Sequence, residues 1–232
     1  MRKVVFDIET YGCNMADLTE SQQEYLQRDA MKEPDDELRA RKLEDAERFL
    51  SLYPLTAKVV AIGIYDITSG KPYVYYESDE KADWQDEEKT TQFRGMSEKE
   101  MLERFWEVIK ISDQVITFNG RNFDIPFMMM RSAKLGVKPS KDLMGYRYSI
   151  TNHIDLLEQF TFYGVTRKFN LDFYCHGFGI QTPKSKEVSG NEVKRLYDEG
   201  RVKDIAVYCG KDIYATYQLY KIWDEYLNFG KK

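Results

Sequence analysis

Short apolar runs with two-residue alternation dominate the first half of the chain, and apolar positions at helical spacing dominate the second. Residues 4–8 are a β-branched run broken by Asp7 and Glu9, which predicts a strand ending beside something polar. Residues 58–67 (KVVAIGIYDI) predict a second strand, and Ser69-Gly70 turns the chain into a third at 73–76, making a hairpin. The acidic, aperiodic stretch 77–92 reads as a surface loop. Met101, Leu102, Phe105, Trp106 and Ile109 then form the stripe of an amphipathic helix. A strand is expected at 114–118 and a helix at 124–134, where Met128, Met129 and Met130 point different ways and read as helix packing, not as one cofactor face. Short helices follow around 155–162, 170–178 and 191–199, and a long one runs from about Val202 to the C-terminus.

The pattern breaks between 17 and 50, where acids and bases interleave and β-branched residues nearly vanish. Thr19-Glu20-Ser21-Gln22 has the spacing of a capping box, and Pro34 before Asp35-Asp36-Glu37 suits the first turn of a second helix. We therefore expect a charged helical insertion at 12–56. Strands early, helices late and a strand-helix-strand-helix passage between them predict a mixed α/β sheet flanked by helices. Without repeats or a flexible linker, 1–232 is expected to be a single domain carrying that insertion.

Composition narrows the classes. A length of 232 residues with 42% hydrophobic residues excludes a disordered chain, and no run of about 18 uncharged apolar residues is present to cross a membrane. The first residues reach Asp7 too early for a signal-peptide core, and Cys13, Cys175 and Cys209 are odd in number and widely spaced, so a reducing, cytoplasmic setting is expected. The 39 acids exceed the 34 bases, giving a net charge of −5. That balance opposes broad phosphate binding on average, but binding is local and a small basic surface would escape the average. His153 and His176 lack the paired, spaced cysteines of a zinc finger, and Gly177-Phe178-Gly179 lacks the third glycine of a dinucleotide fingerprint.

Three constellations could carry chemistry. Asp7 and Glu9, two apart on a strand, share one face. They are either solvated acids at a strand end or a buried pair that needs a divalent cation between them. Asp124 follows the polar turn Asn119-Gly120-Arg121-Asn122-Phe123 and is either a first-turn acid favoured by the helix dipole or a third member of the same group. Tyr208 and Asp212, four apart on a helix, are either a surface pair or two groups aimed at one target.

Taken in order, F-D-x-E-T at 6–10, N-x-x-x-F-D-x-P at 119–126 and Y-C-x-K-D at 208–212 resemble the three motifs of the DEDD (DnaQ-like) 3′–5′ exonucleases. The tyrosine four before the last aspartate marks the DEDDy branch, and the chain is most similar to the exonuclease domain of family-B DNA polymerases and its free-standing relatives. The resemblance implies a ribonuclease H-like fold, a mixed five-stranded sheet flanked by helices, here with an inserted helical segment after the first strand. It implies that Asp7, Glu9, Asp124 and Asp212 hold two Mg²⁺ or Mn²⁺ ions, with Asp7 bridging both. Glu9 and Asp212 would favour the ion on the side of the attacking water, and Asp124 the ion on the leaving-group side. Tyr208 would orient that water, since a phenol with an unperturbed pKa of about 10 is a poor base. Thr10, Asn119, Phe123 and Lys168 would contact the strand, with Phe123 alternatively a core residue. Lys184 and Lys186 are further phosphate candidates, and Asp155 either supports the site or caps a helix.

The implied activity is release of nucleoside 5′-monophosphates from a single-stranded 3′ end, with DNA expected and RNA as the alternative. A silent nucleic-acid-binding or polymerase-docking module is the rival of another class. No polymerase palm or fingers follow the third motif in these residues, so proofreading during replication or repair would act on a partner in trans. The 12–56 insertion, foreign to minimal members, would be either a flap guiding the 3′ end or docking a partner, or a solvated hairpin.

Overall fold

The run predicted at 4–8 is the middle of a longer strand, β1 (Lys3–Gly12), inside a seven-stranded mixed sheet. The structure, a computed structural model, describes residues 1–180 and 192–230. After β1 the chain leaves the sheet for the insertion, helices α1 (Glu20–Met31) and α2 (Asp36–Phe49). It returns as β2 (Ala57–Asp66) and β3 (Lys71–Glu77), then adds β4 (Asp83–Gln85) and β5 (Gln92–Met96). Helix α3 (Glu98–Lys110), strand β6 (Gln114–Thr117) and helix α4 (Asp124–Lys134) follow. The remainder is β7 (His153–Asp155), α5 (Leu156–Phe160), α6 (Leu171–Gly177), α7 (Val193–Asp198) and α8 (Val202–Tyr226).

The strand order is β4-β5-β3-β2-β1-β6-β7. Its inner five, β3-β2-β1-β6-β7, are the expected mixed sheet, with β2 alone running against the other four. Two strands extend it beyond β3. The stretch expected to be loop contains β4, because Trp84 stacks on Phe93 of β5 with ring centroids 3.8 Å apart. One aromatic residue among acids leaves no period to read. Strand β7 is a further addition: the expected helix begins at about Asp155, yet His153, Ile154 and Asp155 pair with Val115, Ile116 and Thr117.

The two faces of β1 serve different layers. Val4, Phe6 and Ile8 pack with Ile62 and Ile64 against the α3 stripe and against Ile125, Phe127 and Met128 of α4. Val5 belongs to the opposite layer, where Ile116 and Ile154 meet Ile213, Leu219 and Trp223 of α8. Among the described residues no helix is long and apolar enough to cross a membrane. All three cysteines are free thiols.

The insertion is a helical hairpin with almost no core of its own. Helix α1 buries only Ala30 and α2 buries nothing. Thr19 and Gln22 form the expected capping box, while α2 is capped by Asp35, which leaves Pro34 before the helix and outside its first turn. The hairpin is secured at its base: the Cys13 amide donates to the Thr56 carbonyl at 2.8 Å, and the Thr10 hydroxyl donates to the Ser51 carbonyl at 2.7 Å. Arg131 of α4 donates to the Pro54 carbonyl at 3.2 Å while forming a buried two-pronged pair with Glu98 of α3.

Candidate active site

Directly opposite residues of an antiparallel pair project from the same face. Asp7 faces Gly63 of β2 and Glu9 faces Ala61, so the two carboxylates stand beside two of the smallest residues of that strand. The space is taken by α8. A Cβ on Gly63 would lie 2.8 Å from Ile213 Cγ2 and 3.0 Å from Cys209 Sγ, closer than real contacts allow, so only glycine admits the helix at this depth. The ladder shifts register just after Glu9, which ends the regular alternation where the acids stop.

Helix α8 brings Tyr208, Cys209 and Asp212 down onto β1. Ligand atoms of Asp7, Glu9 and Cys209 lie within 4.8 Å of one another, and the Cys209 thiol donates to the Asp7 carbonyl at 3.7 Å. Asp124 arrives from the other side. Pairing of β6 with β1 stops at Val5↔Ile116, and further along β1 the Ile8 amide is bonded by Asp124 Oδ1 at 3.1 Å.

The loop that delivers Asp124 is held by Asp155. One Asp155 oxygen accepts the Asn119 amide at 2.9 Å and the Leu157 amide at 3.0 Å, and the other accepts the Arg121 amide at 3.0 Å. Asp155 thus caps α5, as one of its two expectations had it, and the same carboxylate pins the loop. Asn119 adopts φ +63°, a left-handed conformation that asparagine tolerates better than most residues. At Gly120 a Cβ would collide with the Thr117 side chain.

The electrostatics register this crowding. Burial drives Asp7 well above the usual carboxylate range, and the charges of Asp124, Asp212 and Glu9 push it further. Glu9 is raised well above its usual range by burial and then by Asp212 and Asp124. Asp124 is pushed up to about 7, chiefly by burial, against the opposing effect of its amide bonds. Tyr208 is raised far above the phenol range by burial, by Asp212, Glu9 and Asp7, and by a hydrogen bond with Asp212, so it stays protonated.

Asp7, Glu9 and Asp124, whose ionisation is disfavoured by burial and by neighbouring acids including Asp212, suit divalent cations, and hard carboxylate oxygens suit Mg²⁺ or Mn²⁺. Cys209 fits the distances but not the chemistry: burial holds its thiol well above its usual range, and a soft sulfur is a poor ligand for such ions.

Of the residues expected to touch the strand, Asn119 and Phe123 sit in the loop that ends at Asp124. Asn119 Oδ1 accepts from Asn122 at 3.0 Å, and half-buried Phe123 leans on Phe127, centroids 5.5 Å apart. Thr10 is buried with its hydroxyl on Ser51. Lys168 instead pairs with Glu158 of α5 at 3.4 Å. Lys184 and Lys186 lie outside the described residues. Sequence reasoning missed Ala61 and Gly63, although small residues at alternate positions of an apolar strand are the signal of a close approach.

The fold is shared with polymerase exonuclease regions. The structure of the family B DNA polymerase from the hyperthermophilic archaeon Pyrobaculum calidifontis superposes with a TM-score of 0.59 at 18% identity, over 96% of this chain and 24% of that one. A family described as predicted 3′–5′ exonucleases related to the exonuclease domain of PolB matches residues 56–226, and the chain belongs to it. The match holds Asp124, Tyr208 and Asp212 and begins at the end of the insertion. Curated relatives include the DNA polymerases of Thermococcus litoralis, 32% identical over 147 residues, and Desulfurococcus sp. (strain Tok), 35% identical over 142 residues. Each alignment covers 54% of this chain, but only 8% and 18% of the respective polymerase, so the chain corresponds to a small part of either.

Proposed function

We propose that the protein is a metal-dependent 3′–5′ exonuclease of the DEDDy type that removes nucleoside 5′-monophosphates from the 3′ end of single-stranded DNA. The observation that carries this reading is the carboxylate group gathered on β1: burial drives Asp7, Glu9 and Asp124 above their ordinary range, the charge of Asp212 adds to each, and the charge of Asp124 adds to Asp7 and Glu9. Asp7, Glu9, Asp124 and Asp212 would hold two Mg²⁺ or Mn²⁺ ions. Bound there, such ions supply an activated water and neutralise charge on the phosphodiester during in-line displacement.

The remaining parts belong to the chain. Tyr208, held protonated, donates a hydrogen bond and can orient a water without acting as base. Asn119 and Phe123 share the loop that positions Asp124, so a terminal nucleotide contacting them would stand beside the carboxylates. Stacking on Phe123 would tolerate any base. The polymerase relatives support DNA as substrate and a polymerase as the partner that such an enzyme would serve in trans, during replication or repair.

The test is incubation of a 5′-labelled single strand with Mg²⁺. A ladder shortening from the 3′ end is expected, abolished by EDTA and by Asp124→Ala. Tyr208→Phe should lower kcat by about 10- to 100-fold with KM little changed. Absence of metal-dependent trimming of both DNA and RNA strands would sink the proposal.

A further inference from the structure

Beyond the carboxylate group, the segment between α4 and the end of α6 carries a second kind of chemistry. Tyr146, Tyr148, Phe162 and Phe173 each keep more than half of their surface in water. Isolated exposed aromatics need no explanation, but all of these except Phe162 belong to two contiguous sets. In one, Tyr146 lies 5.5 Å from Tyr148, which lies 4.8 Å from Tyr163. In the other, Phe169 stacks on Phe173 at 4.0 Å with the rings 10° apart, and the Arg167 guanidinium stands 5.2 Å over Phe169.

Glu158 joins the two sets. Its buried carboxylate takes Arg147, which sits between Tyr146 and Tyr148, at 2.6 and 2.9 Å, and Lys168, which precedes Phe169, at 3.4 Å. Residues 138–173 hold five bases and four acids; Asp155 and Glu158 are buried, and with Arg147 and Lys168 paired to Glu158 the remaining charges are Lys138, Lys141 and Arg167 against Asp142 and Asp172, a slight basic excess on a chain of net charge −5. Phe162 and Tyr163 both adopt left-handed backbone, φ +50° and +60°. That conformation is costly for bulky residues and persists where the surrounding structure enforces it.

The surface starts at the loop of the proposed site. Arg121 donates to the Gly145 carbonyl at 2.6 Å, next to Tyr146. Phe118, which precedes Asn119, meets Tyr174 at 5.7 Å, and Tyr174 meets Phe169. Rings for stacking, interleaved with cations for phosphates, are the recognition elements of a single strand read without regard to sequence.

We infer that this surface is an accessory platform for single-stranded nucleic acid, holding nucleotides several positions upstream of the 3′ end. The inference rests on the exonuclease reading for its placement of that end. Tyr148, Phe173 and Arg167 are the residues that carry it.

The test uses the full chain with labelled trithymidylate, too short to leave the carboxylate group, and dodecathymidylate. In EDTA, Tyr148→Ala combined with Phe173→Ala should weaken binding of the dodecamer at least about fivefold by fluorescence anisotropy. Arg167→Gln should flatten the salt dependence of that binding by about one unit of slope. With Mg²⁺, the double variant should raise KM for the dodecamer and leave hydrolysis of the trimer at the wild-type rate. Dodecamer affinity unchanged in the variants would overturn the platform while leaving the exonuclease intact, and equal loss on both strands would overturn it as a mere folding effect. If neither strand is trimmed by the wild type, the activity reading fails, and the anisotropy comparison still decides the platform.

Discussion

Residues 17–48 put 11 acids and 6 bases on a hairpin that buries one helical side chain, while Asp7, Glu9, Asp124 and Asp212 gather their charge where β1, α4 and α8 converge. In the hairpin, acids face water and neighbouring cations, as in Arg48 with Asp45 at 2.8 Å or Lys32 with Asp29 at 3.5 Å. Such exposed pairs contribute about 0.3–0.5 kcal/mol each. In the centre, the acids' nearest charges are one another. Acid content alone therefore says little about function; what matters is whether the fold removes water from the acids.

The largest expected difference between the two regions is in their response to pH. Burial pushes the folded Asp124 carboxyl up to about 7, and Asp7 and Glu9 are also raised, whereas unfolded carboxyls titrate near 4. In EDTA the folded state thus binds more protons across this window, and stability falls as pH rises from about 4 to about 7. Asp124, pushed up to about 7, contributes to that loss together with the acids it interacts with. His153, buried and neutral with its pKa lowered to about 3, acts in the opposite sense, so the measurement is the difference between wild type and Asp124→Asn in thermal melts. Mg²⁺ should raise the melting temperature more at pH 8 than at pH 5. A flat difference with pH would put the centre on the same footing as the hairpin.

A smaller effect is expected from Gly63→Ala. The added methyl meets Ile213 and Cys209, α8 must lift, and overpacking of this kind costs about 1–3 kcal/mol. Trimming should slow about tenfold or more, because Tyr208 and Asp212 ride on that helix. Denaturant melts and rates on a labelled strand check both. The smallest effect belongs to the hairpin: Glu37→Gln with Asp45→Asn should change stability by less than about 1 kcal/mol and leave trimming unaltered. A large change there would mean that the hairpin's charge acts on the substrate.

Periodic signals were legible in the sequence. The α3 stripe, the β2–β3 hairpin, the α4 boundaries and the Thr19–Gln22 capping box all form as their spacing dictates. The motif residues Asp7, Glu9, Asp124, Tyr208 and Asp212 could be assembled only through resemblance, since each alone is equally well a solvated acid or a surface pair. Strands β4 and β7 were illegible because three residues cannot show a period, and their pairing depends on partners distant in sequence. The depth of α8 was hidden for a related reason: Gly63 reads as a weak point in a strand until the helix above it is known.

The Cys13–Thr56 hydrogen bond brings the two chain ends of the insertion side by side. Leaving and re-entering the sheet at one gate makes the hairpin a cassette. Its length can drift at little entropic cost, since doubling a loop adds only about 0.6 kcal/mol. A lineage could therefore trade one hairpin for another, or for a foreign domain, without disturbing the register between Asp7 and Gly63. The gate also stands four residues past Glu9, just beyond the end of the same strand, so whatever is grafted there inherits a place close to the carboxylate centre.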